Sequence, residues 1–276
     1  MELSFRRFSE SSLVELSDIL TRGFSDYFVP IQFSEAMLFQ MVRLHSVELE
    51  SCGLVCVDGQ AAGAALIARR GWNCRLAAMS IAPDFRRMGL GSFLLKELIQ
   101  EAKKRGDRRM LLEVIEQNEP AVQLYYGMGF QKKRRLVGYS LVDEGTEVAV
   151  SALADVDLHE LARKVVDGAI EELPWQASGE TLAQMTPPLR AFEHNSAYLA
   201  CSDPGKEAVV IRSLLTLASE RGKGRARALF EMLRAVYPGR KWKVPAICPE
   251  EIGGFFEKMG FAEESISQLQ MSKSLV

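Results

Sequence analysis

An internal repeat is the strongest constraint on how this chain can fold. Residues 11–23 read SSLVELSDILTRG, and residues 155–168 read DVDLHELARKVVDG. Each segment has a capping residue followed three positions later by a glutamate, then an apolar stripe at helical spacing. A glycine stands 11 residues after each cap: Gly23 after Ser12, and Gly168 after Asp157. The two segments therefore predict equivalent helices in the two halves of the chain.

Further landmarks follow in the same order in each half. A pair of glycines opens an amphipathic segment, Gly89 and Gly91 in one half and Gly222 and Gly224 in the other. The phrase Met-Gly-Phe then appears at 128–130 and at 259–261. We therefore expect two copies of one mixed α/β domain, over residues 1–143 and 146–276, joined near Asp143-Glu144-Gly145.

The two copies differ in their predicted strands. The first half shows an initial alternating run at 3–6, then runs at 54–57, 61–68 and 75–81, with a hairpin turn at Asp58-Gly59. The second half has a matching alternating run at 148–151, then offers only 197–202 and the long run 208–218. Its region 186–195 contains two prolines and replaces the missing strand. We expect mostly antiparallel mixed sheets flanked by helices, with the second copy pared down.

Composition excludes several classes of protein. The 276 residues are 47% apolar and carry a formal net charge of −2, which argues against a dedicated nucleic-acid binder. No run approaches the ~20 apolar residues that span a bilayer, so no membrane partner is expected. The five cysteines are odd in number and scattered, which favours buried free thiols in a reducing, cytoplasmic compartment. No Cys/His cluster has the spacing of metal ligands.

The segment from Met79 to Ser92 has the plan of an anion site. An apolar strand runs into a turn with two arginines and two glycines, and a helix follows. Such a turn presents unpaired backbone N–H groups and the positive end of the helix dipole, which suits a phosphate or pyrophosphate. A plain helix N-terminus is the alternative. A Walker loop and a dinucleotide fingerprint are both excluded, because the first needs Gly-Lys-Ser/Thr and the second a third glycine.

A second segment, LLEVIEQNEPAVQLYYGMGF at 111–130, adds to this pattern. It predicts a strand at 111–115 and a short helix starting at Asn118 and Pro120. With both segments present, the sequence resembles the GNAT superfamily of acetyl-CoA-dependent N-acetyltransferases. Arg86-x-x-Gly-x-Gly91 has the form of the family's pyrophosphate loop, and Asn118-x-x-Ala-x-x-Leu-Tyr125 that of its second acetyl-CoA motif. The resemblance covers residues 3–140 and, more weakly, 148–271.

The resemblance implies a V-shaped opening between the strand ending near Ile81 and the strand at 112–115. Pantetheine would pair with the backbone near Ile81, and the pyrophosphate would lie on the amides of the glycine turn. The residues implied to contact acetyl-CoA are Met79, Ser80, Ile81, Arg86, Arg87, Met88, Gly89, Leu90, Gly91, Ser92, Asn118 and Tyr125.

Two residues are candidates for proton transfer during attack of an amine on the thioester. Tyr125 lies where the family often keeps a tyrosine that donates to the sulfur, and a core aromatic is the alternative. Glu113 matches the Leu-Glu-Val-x-x-x-Asn pattern of ribosomal-protein alanine N-acetyltransferases, in which that glutamate is the base. A carboxylate on the solvent face of a strand is equally compatible, and Glu116 is a weaker candidate.

The second copy lacks several of these features. Alignment of the glycine pairs places Ser219 at the position of Arg86, with Glu220 beside it. Alignment on Gly-Phe places Pro249 at the position of Asn118 and Phe256 at that of Tyr125. Phenylalanine has no proton to give, so we expect one working site, in the first copy.

Two functions are compatible with these residues. One is an N-acetyltransferase with acetyl-CoA as co-substrate and no metal, acting on a small-molecule amine or a peptide N-terminus. The other is a non-catalytic acyl-CoA sensor or interaction module. Fold analogy does not choose the acceptor, and a homodimer stays open.

Overall fold

A computed structural model describes residues 2–143, 153–168 and 172–276. The chain divides into two compact units. The first unit comprises Met1–Lys133 and Leu269–Val276, and the second comprises Arg134–Gln268. The predicted junction residues 144 and 145 and the alternating run 148–151 lie outside the described residues.

The first unit contains four helices and a mixed sheet among its described residues. In chain order its elements are β1 (Leu3–Arg7), α1 (Leu13–Gly23), α2 (Glu35–His45), β2 (Gly53–Val57), β3 (Gln60–Arg70), β4 (Asn73–Ile81), α3 (Leu90–Arg105), β5 (Arg109–Ile115) and α4 (Glu119–Gly127). The next strand, β6 (Gln131–Val142), continues into the second unit. Helix α1 starts as predicted, because the Ser12 hydroxyl accepts a bond from the Glu15 N–H.

The second unit repeats this plan. Its further elements are β7 (Ala154–Val156), α5 (Leu158–Gly168), α6 (Gly179–Ala183), β8 (Arg190–His194), β9 (Ala197–Cys201), β10 (Ala208–Thr216), α7 (Arg225–Val236), β11 (Lys241–Pro249), α8 (Gly253–Lys258) and β12 (Ala262–Glu263). The last strand of the chain, β13 (Gln268–Ser274), belongs almost entirely to the first unit.

The two units have the same strand order. The first unit runs β1-β2-β3-β4-β5-β13, and the second runs β7-β8-β9-β10-β11-β6, with β12 on the other side of β6. In each unit the fourth and fifth strands, β4 with β5 and β10 with β11, are parallel, and the strands before them are antiparallel. The repeat read from the sequence is therefore a structural repeat.

The expectation of a missing strand in the second copy is wrong. Residues 190–194 form β8, which pairs antiparallel with β9 through a tight turn at Asn195 and Ser196. Both turn residues have positive φ angles, 49° and 64°, and so provide the twist that a two-residue hairpin needs. The prolines, at 187 and 188, precede the strand rather than interrupt it. The second copy has shorter elements rather than a missing strand: α6 has 5 residues where α2 has 11, and β9 has 5 where β3 has 11.

Apolar helix faces cover both units' sheets. In the first unit α3 and α4 pack on one face through residues that include Leu94, Leu98 and Val122. In the second unit α7 and α8 pack on the corresponding face through residues that include Leu229 and Phe256. None of the described helices combines the length and apolar character needed to cross a bilayer.

Candidate active site

The first unit opens between its two parallel strands. β4 and β5 pair only from Asn73 with Arg109 to Leu76 with Leu112. The register of β3 against β4 shifts at this point, because Leu66 faces Ala78 while Ile67 faces Leu76, which leaves Ala77 as the extra residue of a bulge. Beyond Ala77, the backbone of β4 on the side of β5 is not paired with β5. The predicted V-shaped opening is therefore present.

The glycine turn lies where β4 ends. A short turn at Pro83–Phe85 leads through Arg87, with φ 62°, and Gly89, with φ 81°, into α3. The positive φ at position 89 favours glycine, which has no Cβ. No atom lies within 4 Å of the place that a Cβ would occupy, so this side of the turn is open. The first-turn amides of α3 have no acceptor within the helix. The turn can therefore receive an anion.

Gly91 lies between the two walls of the opening. A Cβ built there would stand 3.3 Å from Leu124 Cδ2, on α4, and 3.6 Å from Met79 Cε, on β4. A larger side chain at this position would therefore extend into the space between β4 and α4.

Hydrogen bonds from Arg86 connect the turn to the end of α1 and the residues after it. Its guanidinium donates to Asp26 through two bonds of 2.6 and 2.7 Å, to the Gly23 carbonyl at 3.0 Å and to the Ile81 carbonyl at 3.1 Å. The hydrogen bond from Arg86 holds the pKa of Asp26 below its usual range. Because these donors are engaged, the cation available to a bound anion is the exposed Arg87. Among the described residues, Arg87 has no ion-pair partner.

Tyr125 lies inside the core of the first unit. Its side chain packs edge-on against Phe130, with ring centroids 5.8 Å apart, and the residue is 8% exposed. Burial raises the pKa of its hydroxyl, so Tyr125 stays protonated at neutral pH. This protonation state suits a proton donor, although the packing also matches the alternative of a core aromatic.

Asn118 and Tyr27 lie near Tyr125. The Asn118 side chain caps α4 by accepting from the Ala121 N–H at 3.4 Å, and it also hydrogen-bonds Tyr27. Burial raises the pKa of Tyr27, which in turn interacts electrostatically with Tyr125. Sequence reasoning missed Tyr27. The only available signal was the cluster of aromatic residues after α1.

Glu113 is neither free nor on a solvent-facing surface. Its Oε2 lies 2.6 Å from Nε of Arg75, and the two side chains are 2% and 5% exposed. Glu113 is on β5 and Arg75 is on β4. Both residues lie next to the last pair of the two strands, Leu76 with Leu112, after which the strands separate. The alternative of a solvent-exposed strand carboxylate is therefore wrong, and any proton uptake by Glu113 takes place beside a guanidinium.

The second unit corrects the predicted alignment of the glycine turns. Arg221 donates to the Thr216 carbonyl at 3.2 Å and to the Gly168 carbonyl at 2.9 Å, as Arg86 does to Ile81 and Gly23. Arg221, rather than Ser219, is therefore the counterpart of Arg86. Each arginine is three residues before the left-handed glycine that starts the helix, Gly89 with φ 81° or Gly224 with φ 74°.

The corrected register changes the other pairs as well. Ala226 is the counterpart of Gly91, and Glu220 that of Phe85. Glu220 forms an ion pair with Lys223 at 2.9 Å. The carboxylate thus lies before the turn, on the short helical segment, and is neutralised locally. Glu220 therefore adds no unpaired negative charge beside the turn.

The alignment on Gly-Phe agrees with the structure. The Phe261 N–H bonds the Phe256 carbonyl at 3.1 Å, as the Phe130 N–H bonds the Tyr125 carbonyl at 3.0 Å. The rings of Phe256 and Phe261 meet edge-on at 5.4 Å, like those of Tyr125 and Phe130. Phe256 therefore occupies the place of Tyr125 without its hydroxyl.

Comparison with known proteins fits this geometry. Residues 13–130 match the family model of the acetyltransferase (GNAT) family. This part of the chain belongs to the GNAT family. The matched residues include the opening, the glycine turn of the first unit and Tyr125.

Curated relatives match about a quarter of the chain. The chain is 38% identical over 72 residues to the ribosomal protein bS18-alanine N-acetyltransferase of Escherichia coli K12, covering 26% of this chain and 49% of that protein. It is 37% identical over 78 residues to the streptothricin acetyltransferase of Streptomyces lavendulae, covering 28% of this chain and 41% of that protein. The chain thus spans about half or less of the length of these relatives.

Solved structures match the fold of the whole chain. A tandem GNAT protein from the clavulanic acid biosynthesis pathway aligns with a TM-score of 0.66 and 14% identity, covering 100% of this chain and 99% of that one. A GCN5-related N-acetyltransferase from Sphaerobacter thermophilus aligns with a TM-score of 0.68 and 17% identity, covering 99% and 96%. At these identities the likeness concerns the fold alone. It shows that the tandem arrangement recurs in other proteins.

Proposed function

We propose that this chain transfers an acetyl group from acetyl-CoA to a primary amine, with the reaction in the opening of the first unit. One observation carries the proposal. The anion-receiving turn at Arg87–Gly91 follows the strand end where β4 has left β5, and Tyr125 belongs to the core cluster against which Met79 and Ile81 of β4 pack. A bound thioester needs anchoring of its phosphates and a proton for its leaving group, and these are the groups that provide them.

The residues present fit acetyl-CoA in three ways. The amides of Leu90 to Ser92 would hold the pyrophosphate, with Arg87 adding a charge. The free edge of β4 at Met79–Ile81 would pair with the amides of the pantetheine arm, as an added strand does. Asn118 would contact the same arm after exchanging its bond to Tyr27.

Two residues would handle protons. Tyr125 would donate to the departing thiolate, because burial keeps its hydroxyl protonated. Glu113 would accept the proton of the attacking amine, directly or through water, while Arg75 orients the carboxylate. Proton uptake by Glu113 must then weaken its bond to Arg75.

The acceptor is proposed from the relatives. One of them is named for the alanine of a ribosomal protein and the other for streptothricin. We therefore propose a peptide N-terminus or a small-molecule amine as acceptor. A panel of N-terminal peptides and amines, with acetyl-CoA and detection of free thiol, tests this. Acetyl transfer to none of them by a chain that binds acetyl-CoA would support the non-catalytic sensor instead.

The cellular setting is also a proposal. All five cysteines are buried and unpaired, which suits a reducing compartment such as the cytoplasm.

A further inference from the structure

The second unit contains a cavity of about 600 Å³ between β10 and β11. These strands pair only from Ala208 with Lys241 to Val210 with Lys243, and then separate as β4 and β5 do. The cavity reaches from the bulge on β10 to the glycine turn, because Arg212, Gly222 and Gly224 all line it. Its volume lies within the range of small-molecule sites.

Arg212 lines this cavity from the bulge of β10. Ile211 faces Cys201 and Ser213 faces Ala200, so Arg212 is the extra residue of the bulge. The first unit has Ala77 at the equivalent position. Across the described parts of the chain, the Arg212 side chain forms no ion pair and no hydrogen bond. Partial burial lowers its pKa from the ordinary value.

Arg212 is exposed on β10, so its guanidinium is accessible to a ligand in the cavity, and an anion bound there would form charge-assisted hydrogen bonds. Apart from Arg227, which is paired with Glu231, four cationic side chains line the cavity against one carboxylate, Glu220. That carboxylate is already paired with Lys223. The balance of charge in the cavity therefore favours an anionic ligand.

The other end of the cavity keeps the geometry of an anion-receiving turn. Arg221 fastens it through the same two carbonyl contacts that Arg86 makes in the first unit. Gly222, with φ 77°, and Gly224, with φ 74°, give the turn its left-handed backbone. Between the two ends the walls are mainly apolar, with Ile247 and Phe255 among them. The cavity thus has an anion-binding group at each end and an apolar middle.

We propose that this cavity binds a coenzyme A thioester of a dicarboxylic acid, with the phosphates on the glycine turn and the free carboxylate on Arg212. Binding would occur without transfer, because Phe256 has no hydroxyl to donate a proton. The site is separate from the proposed acetyl-transfer site in the first unit and does not depend on it.

Calorimetric titration with non-transferable thioethers tests the proposal. Carboxymethyl-CoA carries the carboxylate, and S-ethyl-CoA replaces it with a methyl group. We expect the second unit to contribute one binding equivalent for carboxymethyl-CoA. Arg212→Ala, which restores the residue type of the first unit, should weaken that equivalent by at least about tenfold, as expected for loss of a charge-assisted bond. S-ethyl-CoA should show no dependence on Arg212.

Two further variants keep the test informative. Arg212→Lys should retain part of the affinity, which rules out a folding defect as the cause of the loss. Arg227→Ala should leave binding unchanged, because Arg227 lines the same cavity but is paired with Glu231 at 2.7 Å. Unchanged binding of carboxymethyl-CoA in Arg212→Ala would overturn the proposal.

A free dicarboxylate is the other source of the same carboxylate. If the binding of glutarate depends on Arg212 and the binding of carboxymethyl-CoA does not, the coenzyme part of the proposal is overturned. Acetyl transfer is assayed separately by thiol release, so failure of one site does not decide the other.

Discussion

Arg75 Nε and Glu113 Oε2 lie 2.6 Å apart in the first unit, and neither side chain reaches solvent to any extent. Removing one member of a buried ion pair leaves an uncompensated charge, which typically costs about 3–5 kcal/mol. We therefore predict that Glu113→Gln lowers the free energy of unfolding by up to that amount. Urea denaturation measures this change, and a variant as stable as wild type would show that the pair contributes nothing.

The same residue tests the proposed base. If Glu113 accepts the amine proton, Glu113→Gln should flatten the acid limb of the pH–rate profile. The double variant Arg75→Leu with Glu113→Leu removes both charges and should recover stability without recovering turnover. Full turnover in the double variant would exclude Glu113 as the base.

Tyr125→Phe should lower kcat by about 10²–10⁴-fold, the usual effect of losing a general acid. Affinity for acetyl-CoA should change little, since the proton is needed only in the transition state. Steady-state kinetics and calorimetry measure the two quantities. The matched change Phe256→Tyr, at the equivalent place in the second unit, should leave kcat as it is.

The pH dependence of Tyr125 has a definite sign. Burial raises the pKa of the hydroxyl above its ordinary value of about 10, so the protonated form persists through neutral and mildly basic pH. The basic limb of the kcat profile should therefore show no loss from Tyr125 below about pH 10. A fall in kcat near pH 8 that disappears in Tyr125→Phe would contradict this assignment.

Acetyl-CoA should bind once per chain, in the first unit. The second cavity has the cationic Arg212 at the bulge of β10, where acetyl-CoA would present only a methyl group. At 100 times Kd, one site adds about 2.7 kcal/mol to the free energy of unfolding, which calorimetry detects as a rise in Tm. A titration with two equivalents of similar affinity for acetyl-CoA would be the contrary result.

Local sequence patterns predicted much of this structure. The turn at Asp58-Gly59, the cap at Ser12 and the helix after Gly89 depend on a few neighbouring residues, and each is confirmed. The opening between β4 and β5 followed from the family resemblance and is confirmed by the strand register.

Other features depend on contacts that the sequence does not display. The glycine turns were aligned glycine by glycine, yet Arg87 adopts the positive φ that Gly222 adopts in the second unit. Because a non-glycine residue has this φ in the first unit, alignment of the glycines alone did not pair Arg86 with Arg221. The bond between Arg75 and Glu113 joins residues 38 apart, and β13 joins the first unit from the far end of the chain. No local pattern marks either.

A matched pair of substitutions tests the central claim that acetyl transfer occurs in the first unit. Gly91→Trp places a bulky side chain between Met79 and Leu124, and Ala226→Trp makes the same change at the equivalent position of the second unit. Thermal melting should first show that both variants fold. Release of free thiol from acetyl-CoA, with a reactive amine, should then be abolished in Gly91→Trp and retained in Ala226→Trp. Turnover that survives in Gly91→Trp and is lost in Ala226→Trp would contradict the account.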